Sequence, residues 1–237
     1  MNIFPAIDLY DGKAVRLYKG NYDEMTVYSD NPAEIARDFE SQGARFVHIV
    51  DLEGAKTGDT PNLETVKTII GSAGLFAEIG GGVRSMETVK KYLDAGAGRV
   101  ILGTAAVENE DFLTEAVGTY GEKIAVGVDL KDGFVAVKGW TEKSRYSAFD
   151  FCEKLQDLGV KTLIVTDISK DGAMQGANHG LYRELLKRFR MDLIASGGVS
   201  SLEDIRKLAA LGVSGAIVGK AYYTKAFTIR EALEAAR

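Results

Sequence analysis

Residues 79–107, IGGGVRSMETVKKYLDAGAGRVILGTAAV, lie over residues 195–223, ASGGVSSLEDIRKLAALGVSGAIVGKAYY, at a constant shift of 116 (Gly81 to Gly197, Gly103 to Gly219). Each copy opens on an apolar run closed by Gly-Gly. It continues through a helical pattern from a Ser cap to a Gly stop, and ends on a second apolar run closed by Gly-x-Ala. The match extends outward at the same shift: 43-GARFVHIVDL-52 lies over 159-GVKTLIVTDI-168, which aligns Asp51 with Asp167. Further out, 8-DLYDGKAVRL-17 echoes 129-DLKDGFVAVK-138 at a shift of 121, so about five residues separate the two registers. A period of half the chain is too long for a solenoid. The pattern is that of two fused copies of one half, about 1–120 and 121–237.

The apolar runs are IFPAI (3–7), FVHIV (46–50), LFAEI (75–79), RVIL (99–102), IAVGV (124–128), TLIVT (162–166), DLIA (192–195) and GAIV (215–218). Their length, β-branched content and flanking Gly or Asp predict buried strands. Helical patterns alternate with them. In 31-NPAEIARDFESQG-43, Asn31 is an N-cap, Pro32 takes the first helical position and Gly43 is the stop. Eight strands alternating with eight helices predict an α/β fold, a single (β/α)8 TIM barrel spanning 1–237 and built from two duplicated half-barrels. A doubly wound open sheet explains the repeat less well, because two identical halves close naturally into a ring.

Of the 237 residues, 46% are hydrophobic and 27% charged, enough to bury a sizeable core. The net charge of −5 speaks against nucleic acid or an anionic membrane as the main partner. It leaves room for an anionic small molecule held by local backbone dipoles. The one cysteine, Cys152, lies in a helical stretch and reads as a small core residue in a reducing compartment. Without a basic-then-apolar leader or a membrane-length apolar run, the chain reads as soluble and cytoplasmic.

In such barrels the chemistry sits at the C-terminal ends of the strands. Asp8, Asp51, Asp129 and Asp167 each follow an apolar run directly, the first, second, fifth and sixth. Turns Gly80–Gly82 and Ser196–Gly198 follow the third and seventh runs; Gly103-Thr104 and Gly219-Lys220 follow the fourth and eighth. Gly-Gly steps let a backbone approach an anion, and a following helix points free N–H groups at it. Two phosphate sites facing each other across the mouth are therefore expected, suited to one elongated ligand with a phosphate at each end. Asp8 and Asp129 lie between them and can divide labour as base and acid, provided their surroundings separate their pKa values. Asp51, Asp167 and Asp171 are further carboxylates nearby. His48, on the opposite strand face from Asp51, is expected to pack against the outer helices. No His or Cys pair has zinc spacing, and no G-x-G-x-x-G follows the first strand, so no metal and no cofactor are expected, magnesium on the clustered carboxylates being the alternative left open. Trp140, in the polar loop 131-KDGFVAVKGWTEKSRYS-147, is placed to stack on a planar ligand. The loop 16-RLYKGNYDEMTVYS-29 is similarly long and polar, and is expected to close over the substrate.

The motifs PAIDL, DGKAVRL, HIVDLEGA, IGGGVRS, ILGTAAV, VGVDLKDG, GW, VTDISKDGAMQGAN, ASGGVSS and IVGKAYY run in this order along nearly the whole chain. Together they resemble the phosphoribosylformimino-aminoimidazole carboxamide ribotide isomerase family of histidine biosynthesis. The resemblance implies a cofactor-free half-barrel-duplicated enzyme that rearranges a bis-phosphate aminoaldose to its aminoketose. It makes Asp8 the proton acceptor and Asp129 the proton donor, with Asp171 and Thr166 as additional catalytic candidates. The phosphate-binding candidates are Gly81, Gly82, Gly103 and Thr104 on one side, and Gly176, Gly197, Gly198, Gly219 and Lys220 on the other. Arg16, Gly20, Asp51, Arg84 and Trp140 are the remaining substrate contacts, and a monomer is expected. The cyclase of the same pathway resembles the chain less: it carries a Cys two residues before its first Asp, where Ala6 stands here, and its catalytic Lys is out of register with Arg16 and Lys19. Activity on phosphoribosylanthranilate as well, or a non-catalytic sugar-phosphate-binding role, are the alternatives. Retention of both rim aspartates speaks against the last.

Overall fold

The computed structural model describes residues 1–18 and 20–237; Lys19 lies outside the described residues. The first half of the chain forms β1 (Asn2–Tyr10), β2 (Lys13–Tyr18), β3 (Asn21–Ser29), α1 (Pro32–Ser41), β4 (Phe46–Asp51), α2 (Leu52–Thr57), α3 (Leu63–Ser72), β5 (Phe76–Gly80), α4 (Met86–Asp94), β6 (Arg99–Leu102), α5 (Thr104–Glu108) and α6 (Glu110–Tyr120). The second half forms β7 (Ile124–Lys131), β8 (Phe134–Val137), β9 (Glu142–Ser147), α7 (Ala148–Asp157), β10 (Thr162–Asp167), α8 (His179–Arg188), β11 (Asp192–Ser196), α9 (Leu202–Leu211), β12 (Gly215–Val218), α10 (Lys220–Tyr223) and α11 (Ile229–Ala235).

Each predicted apolar run is a strand. The parallel neighbours run β1-β4-β5-β6-β7-β10-β11-β12, and β12 pairs with β1 to close the ring. This is a (β/α)8 barrel. The strands are short and apolar because both faces are covered, one by helices and one by the barrel interior. Residues of one parity, such as Val47 and Ile49, join the outer core under the helices; residues of the other, such as Phe4, Ala6, Ile101, Ala125, Ile164 and Ile194, fill the interior. Helix ends follow the predicted chemistry. Ser85 and Ser201, one repeat apart, each accept an N-terminal amide, from Thr88 and Asp204 respectively. Pro32 opens α1, although Asn31 makes no side-chain cap bond there. Cys152 is fully buried, and burial pushes its thiol up to about 12.

Two expectations are corrected. The polar stretches 16–29 and 131–147 are not open loops. Barrel strands β1 and β7 each turn back through a two-residue Asp-Gly hairpin, and β2–β3 and β8–β9 rise above the mouth as antiparallel excursions. Asp11 and Gly12 have φ of 49° and 70°, Asp132 and Gly133 of 53° and 82°. Positive φ at both central residues is the type I′ geometry that matches the twist of the strands, and Asp-Gly is a favoured pair for it. The D-x-x-D-G echo is therefore partly a hairpin signature. The second correction concerns helix number. Short helices α2, α5 and α10 are added to the eight expected ones; α5 and α10 start at equivalent Gly-x-Ala positions and follow β6 and β12.

The interior is not two-fold symmetric. In the first half, Glu78 is fully buried and bonds His48 Nδ1 (2.7 Å) and Arg99 Nε (3.1 Å). Arg99 Nη1 donates to Thr162 Oγ1, and its guanidinium lies 5.8 and 5.6 Å from the rings of Phe4 and Phe76. One repeat further on, the positions of His48, Glu78 and Arg99 are Ile164, Ile194 and Gly215. His48 thus faces into the barrel, contrary to the expectation that it packs outward. The parity argument against Asp51 was right, but it is Asp51 that lies on the helix side.

Candidate active site

Asp8 extends β1 at the rim, on the inward parity of Phe4 and Ala6. The tight Asp11–Gly12 turn folds β2 back beside it and brings Arg16 Nη1 to 2.9 Å from Asp8 Oδ2. The hairpin is held from outside: Gly12 N donates to Asn62 Oδ1 and Asp11 N to Glu53 Oε2. Arg16 also lies over the Gly219 turn, where an added Cβ would stand 2.6 Å from its Nη2. It spans from the carboxylate to the second glycine turn, and its Nε is buried without a partner among the described residues.

Asp129 occupies the corresponding place on β7. Its Oδ2 accepts the Trp140 indole N–H at 2.7 Å, and its register neighbour Thr166 on β10 offers a second hydrogen bond. Trp140, at the tip of the β8–β9 excursion, has φ of 71° and packs its ring on Gly20 of the β2–β3 excursion, where any Cβ would stand 2.6 Å from the ring. The two excursions therefore meet across the mouth, one from each half. Burial pushes both carboxyls above the ordinary aspartate value. For Asp8 the Arg16 charge opposes this; for Asp129 the Trp140 and Thr166 hydrogen bonds do, and the Asp171 charge raises both. One carboxyl is held by a cation and the other by neutral donors, so the two sit in unlike surroundings, as a division of acid and base labour requires.

The glycine turns are built alike in both halves. Gly81, Gly82, Gly197 and Gly198 all have positive φ, between 74° and 110°. A Cβ on Gly81 would collide with the Asp51 carbonyl, and one on Gly197 would lie 2.8 Å from that of Asp167. Gly103 and Gly219 share one backbone conformation, with φ, ψ of −103°, −111° and −104°, −101°. Thr104 Oγ1 accepts the Lys138 amide, and Lys220 Nζ donates to the Gly172 carbonyl.

A single cavity of about 270 Å³ gathers these features. Asp8, Asp129, Asp171 and Thr166 line it, as do Arg16, Gly20, Arg84 and Trp140. So do both glycine turns, with Gly103, Thr104, Gly219 and Lys220. Two expected residues are absent from its walls. Asp51 is fully buried, accepting from Gly54 N (2.9 Å), Asn62 N (3.2 Å), Asn62 Nδ2 (2.8 Å) and the Tyr92 hydroxyl (3.4 Å). It caps α2 and anchors Asn62, which in turn holds the β1–β2 hairpin. Gly176 instead lays its carbonyl against Gly198, where a Cβ would come within 2.5 Å. It supports the turn from behind. Tyr22 and His48 also line the cavity and were not read as site residues. The Tyr22 hydroxyl donates to the Leu52 carbonyl, and burial pushes it up to about 12. Strand parity was the signal available for His48. Among the described residues, no cluster of three or more His, Cys, Asp or Glu has metal-holding geometry, and no helix is long and apolar enough to cross a membrane.

The family model described as histidine biosynthesis protein matches residues 2–228. The chain belongs to this family. A relative from Lactococcus lactis subsp. cremoris is 54% identical over 225 residues, covering 94% of this chain and 92% of its own. One from Ruminiclostridium cellulolyticum is 48% identical, covering 98% and 99%, and one from Acetivibrio thermocellus 44%, covering both chains in full. All three are named 1-(5-phosphoribosyl)-5-((5-phosphoribosylamino)methylideneamino)imidazole-4-carboxamide isomerase. That is the enzyme family which the motif order of this member resembles, under another chemical name.

Proposed function

We propose that the protein is the aldose–ketose isomerase of histidine biosynthesis, acting on the bis-phosphate aminoaldose named in its relatives. The observation that carries the reading is the single cavity with one carboxyl from each half, Asp8 buried and Asp129 partly so, set between two matching glycine turns. The turns at Gly81–Gly82 and Gly103–Thr104, and at Gly197–Gly198 and Gly219–Lys220, take the two phosphates through backbone N–H groups. Arg16, Arg84 and Trp140 position the body of the ligand, and Trp140 gives up its hydrogen bond to Asp129 when the sugar enters.

The reaction needs two protons in and two out. Protonated Asp129 gives its proton to the ring oxygen, which opens the ribose to a Schiff base. Asp8 takes the proton from C2′, and C1′ receives one as the enolamine relaxes to the ketose. Each positioned acid or base contributes about 10²–10⁴-fold. The test is a spectroscopic assay of the purified protein with the bis-phosphate aminoaldose, beside phosphoribosylanthranilate. Turnover of the first is expected; none on the first would refute the reading.

A further inference from the structure

The proton account above leaves one group unassigned. As the enolamine becomes a ketone, O2′ must lose its hydroxyl proton. Asp8 is occupied with the proton moving from C2′ to C1′. Asp129, ionised by its gift to the ring oxygen, can accept a proton from a hydroxyl that reaches the rim; one that points to the cavity floor needs an acceptor there.

His48 stands there. Its register partner on β1 is Ala6, two residues below Asp8, so it lies about 7 Å beneath the rim layer along the strand. It lines the same cavity as both aspartates, with its side chain 12% exposed. Its Nδ1 is bound to Glu78, a carboxylate that only accepts when ionised and is already paired with Arg99. Nδ1 therefore carries the hydrogen of that bond, and Nε2 is the ring nitrogen left to meet a ligand proton. No hydrogen bond to Nε2 is found among the described residues. A carboxylate behind an imidazole fixes its tautomer and stabilises the imidazolium formed when it takes a proton, the arrangement of an oriented general base. The repeat sharpens this. The equivalent position in the other half also lines the cavity, and it is Ile164, with Ile194 in place of Glu78 and Gly215 in place of Arg99. Packing an interior does not require a backed imidazole on one side only.

We propose that His48 is a third catalytic group, whose Nε2 accepts the O2′ hydroxyl proton as the carbonyl forms. This rests on the isomerase reading above. The O2′–H bond breaks, its electron pair forms the C2′ carbonyl, and the proton goes to Nε2. Two protons leave the sugar, from C2′ and O2′, and two arrive, at C1′ and the ring oxygen. The imidazolium releases its proton to solvent as product leaves, and Asp129 is reprotonated from the same source.

Two variants test it with the bis-phosphate aminoaldose. His48→Asn sets an amide N–H near the place of Nδ1, keeping the bond to Glu78 while removing Nε2. Its kcat is expected to fall by about 10²-fold or more, with KM within about threefold and an unchanged melting temperature. In His48→Ala, added imidazole is expected to restore part of kcat in a saturable way. A His48→Asn kcat within about threefold of wild type overturns the inference. So does a loss in both variants that follows the fraction unfolded and ignores imidazole, because His48 would then belong to the ion network alone. A wild type without turnover overturns the isomerase reading and this one with it; an active wild type with unaffected variants overturns this one alone.

Discussion

Replacing Asp51 by Ala tests whether this buried carboxylate serves the ligand or the fold. The substitution strips the acceptor from two backbone amides, Gly54 and Asn62, and from the Tyr92 hydroxyl. Asn62 Nδ2 keeps its second acceptor, Glu53 Oε2 at 3.0 Å. Each buried donor left without a partner costs about 1–3 kcal/mol, which gives a loss of about 4 kcal/mol. In a chain of this length that lowers the melting temperature by about 8–16 °C. The repeat supplies a control. Asp167 is the equivalent residue and accepts from Ser169 and Asn178, but it is only partly buried, so water can replace it. Asp167→Ala should cost about 1 kcal/mol. Thermal and urea unfolding followed by circular dichroism, with KM measured on the same samples, separate the two roles. An Asp51→Ala protein that melts like Asp167→Ala and shows a large rise in KM would refute the structural assignment.

Asp8→Asn should reduce turnover by at least about 10²-fold with substrate affinity largely kept, and a variant holding a tenth of wild-type kcat would remove Asp8 as the base. Asp129→Asn should be similarly impaired; if Asp171→Asn is dead and Asp129→Asn mild, the proton donor is Asp171. Because burial raises the Asp129 pKa in the folded state, its ionisation opposes folding. The penalty is absent below the ordinary value of 3.8 and grows as pH rises through the folded value. Asp129→Asn should therefore melt higher than wild type at neutral pH, with the gain vanishing towards pH 3.8; a neutral-pH melting temperature at or below wild type would contradict the burial argument. Crystals grown in sulfate should show one anion at Gly81, Gly82, Gly103 and Thr104 and another at Gly197, Gly198, Gly219 and Lys220. An anion at the second place only would mean that the first half kept the turn without the site.

The barrel was legible because its eight strands are covered on both faces and write themselves as near-continuous apolar runs. In the excursions the outer strands β3 and β9 are exposed and polar, and the mostly buried inner strands β2 and β8 are short, so the same signal is weak there. The Asp-Gly pairs at 11–12 and 132–133, flanked by apolar residues, were the available clue. At the site, duplication pointed correctly to Asp8, Asp129 and the glycine turns, which line the cavity. It misled at Asp51. A residue can be repeated because both halves need the same loop buttress: Asp51 and Asp167 each accept the Nδ2 of the Asn eleven residues later. His48 was hidden by the opposite problem. It has no counterpart in the repeat, and only the strand parity shared with Val50 and Phe46 turns it inward.

The one-sided interior makes the two halves unequal as building blocks. Phe4, Phe46, Phe76 and Arg99 crowd the floor from the first half, and rings 46 and 76 stand edge to face at 5.7 Å. Their counterparts are Ala125, Thr162, Asp192 and Gly215, and Gly215 leaves room for the Phe4 ring, which would lie 2.6 Å from any Cβ there. Large faces small across the axis. Fusing two copies of the first half would bring a second set of rings and charges into space already filled. Two copies of the second would leave a hollow where those rings now pack. A perfectly symmetric barrel can no longer be rebuilt from either part without redesigning its floor, so the shared ancestry persists in the rim and has been erased at the base.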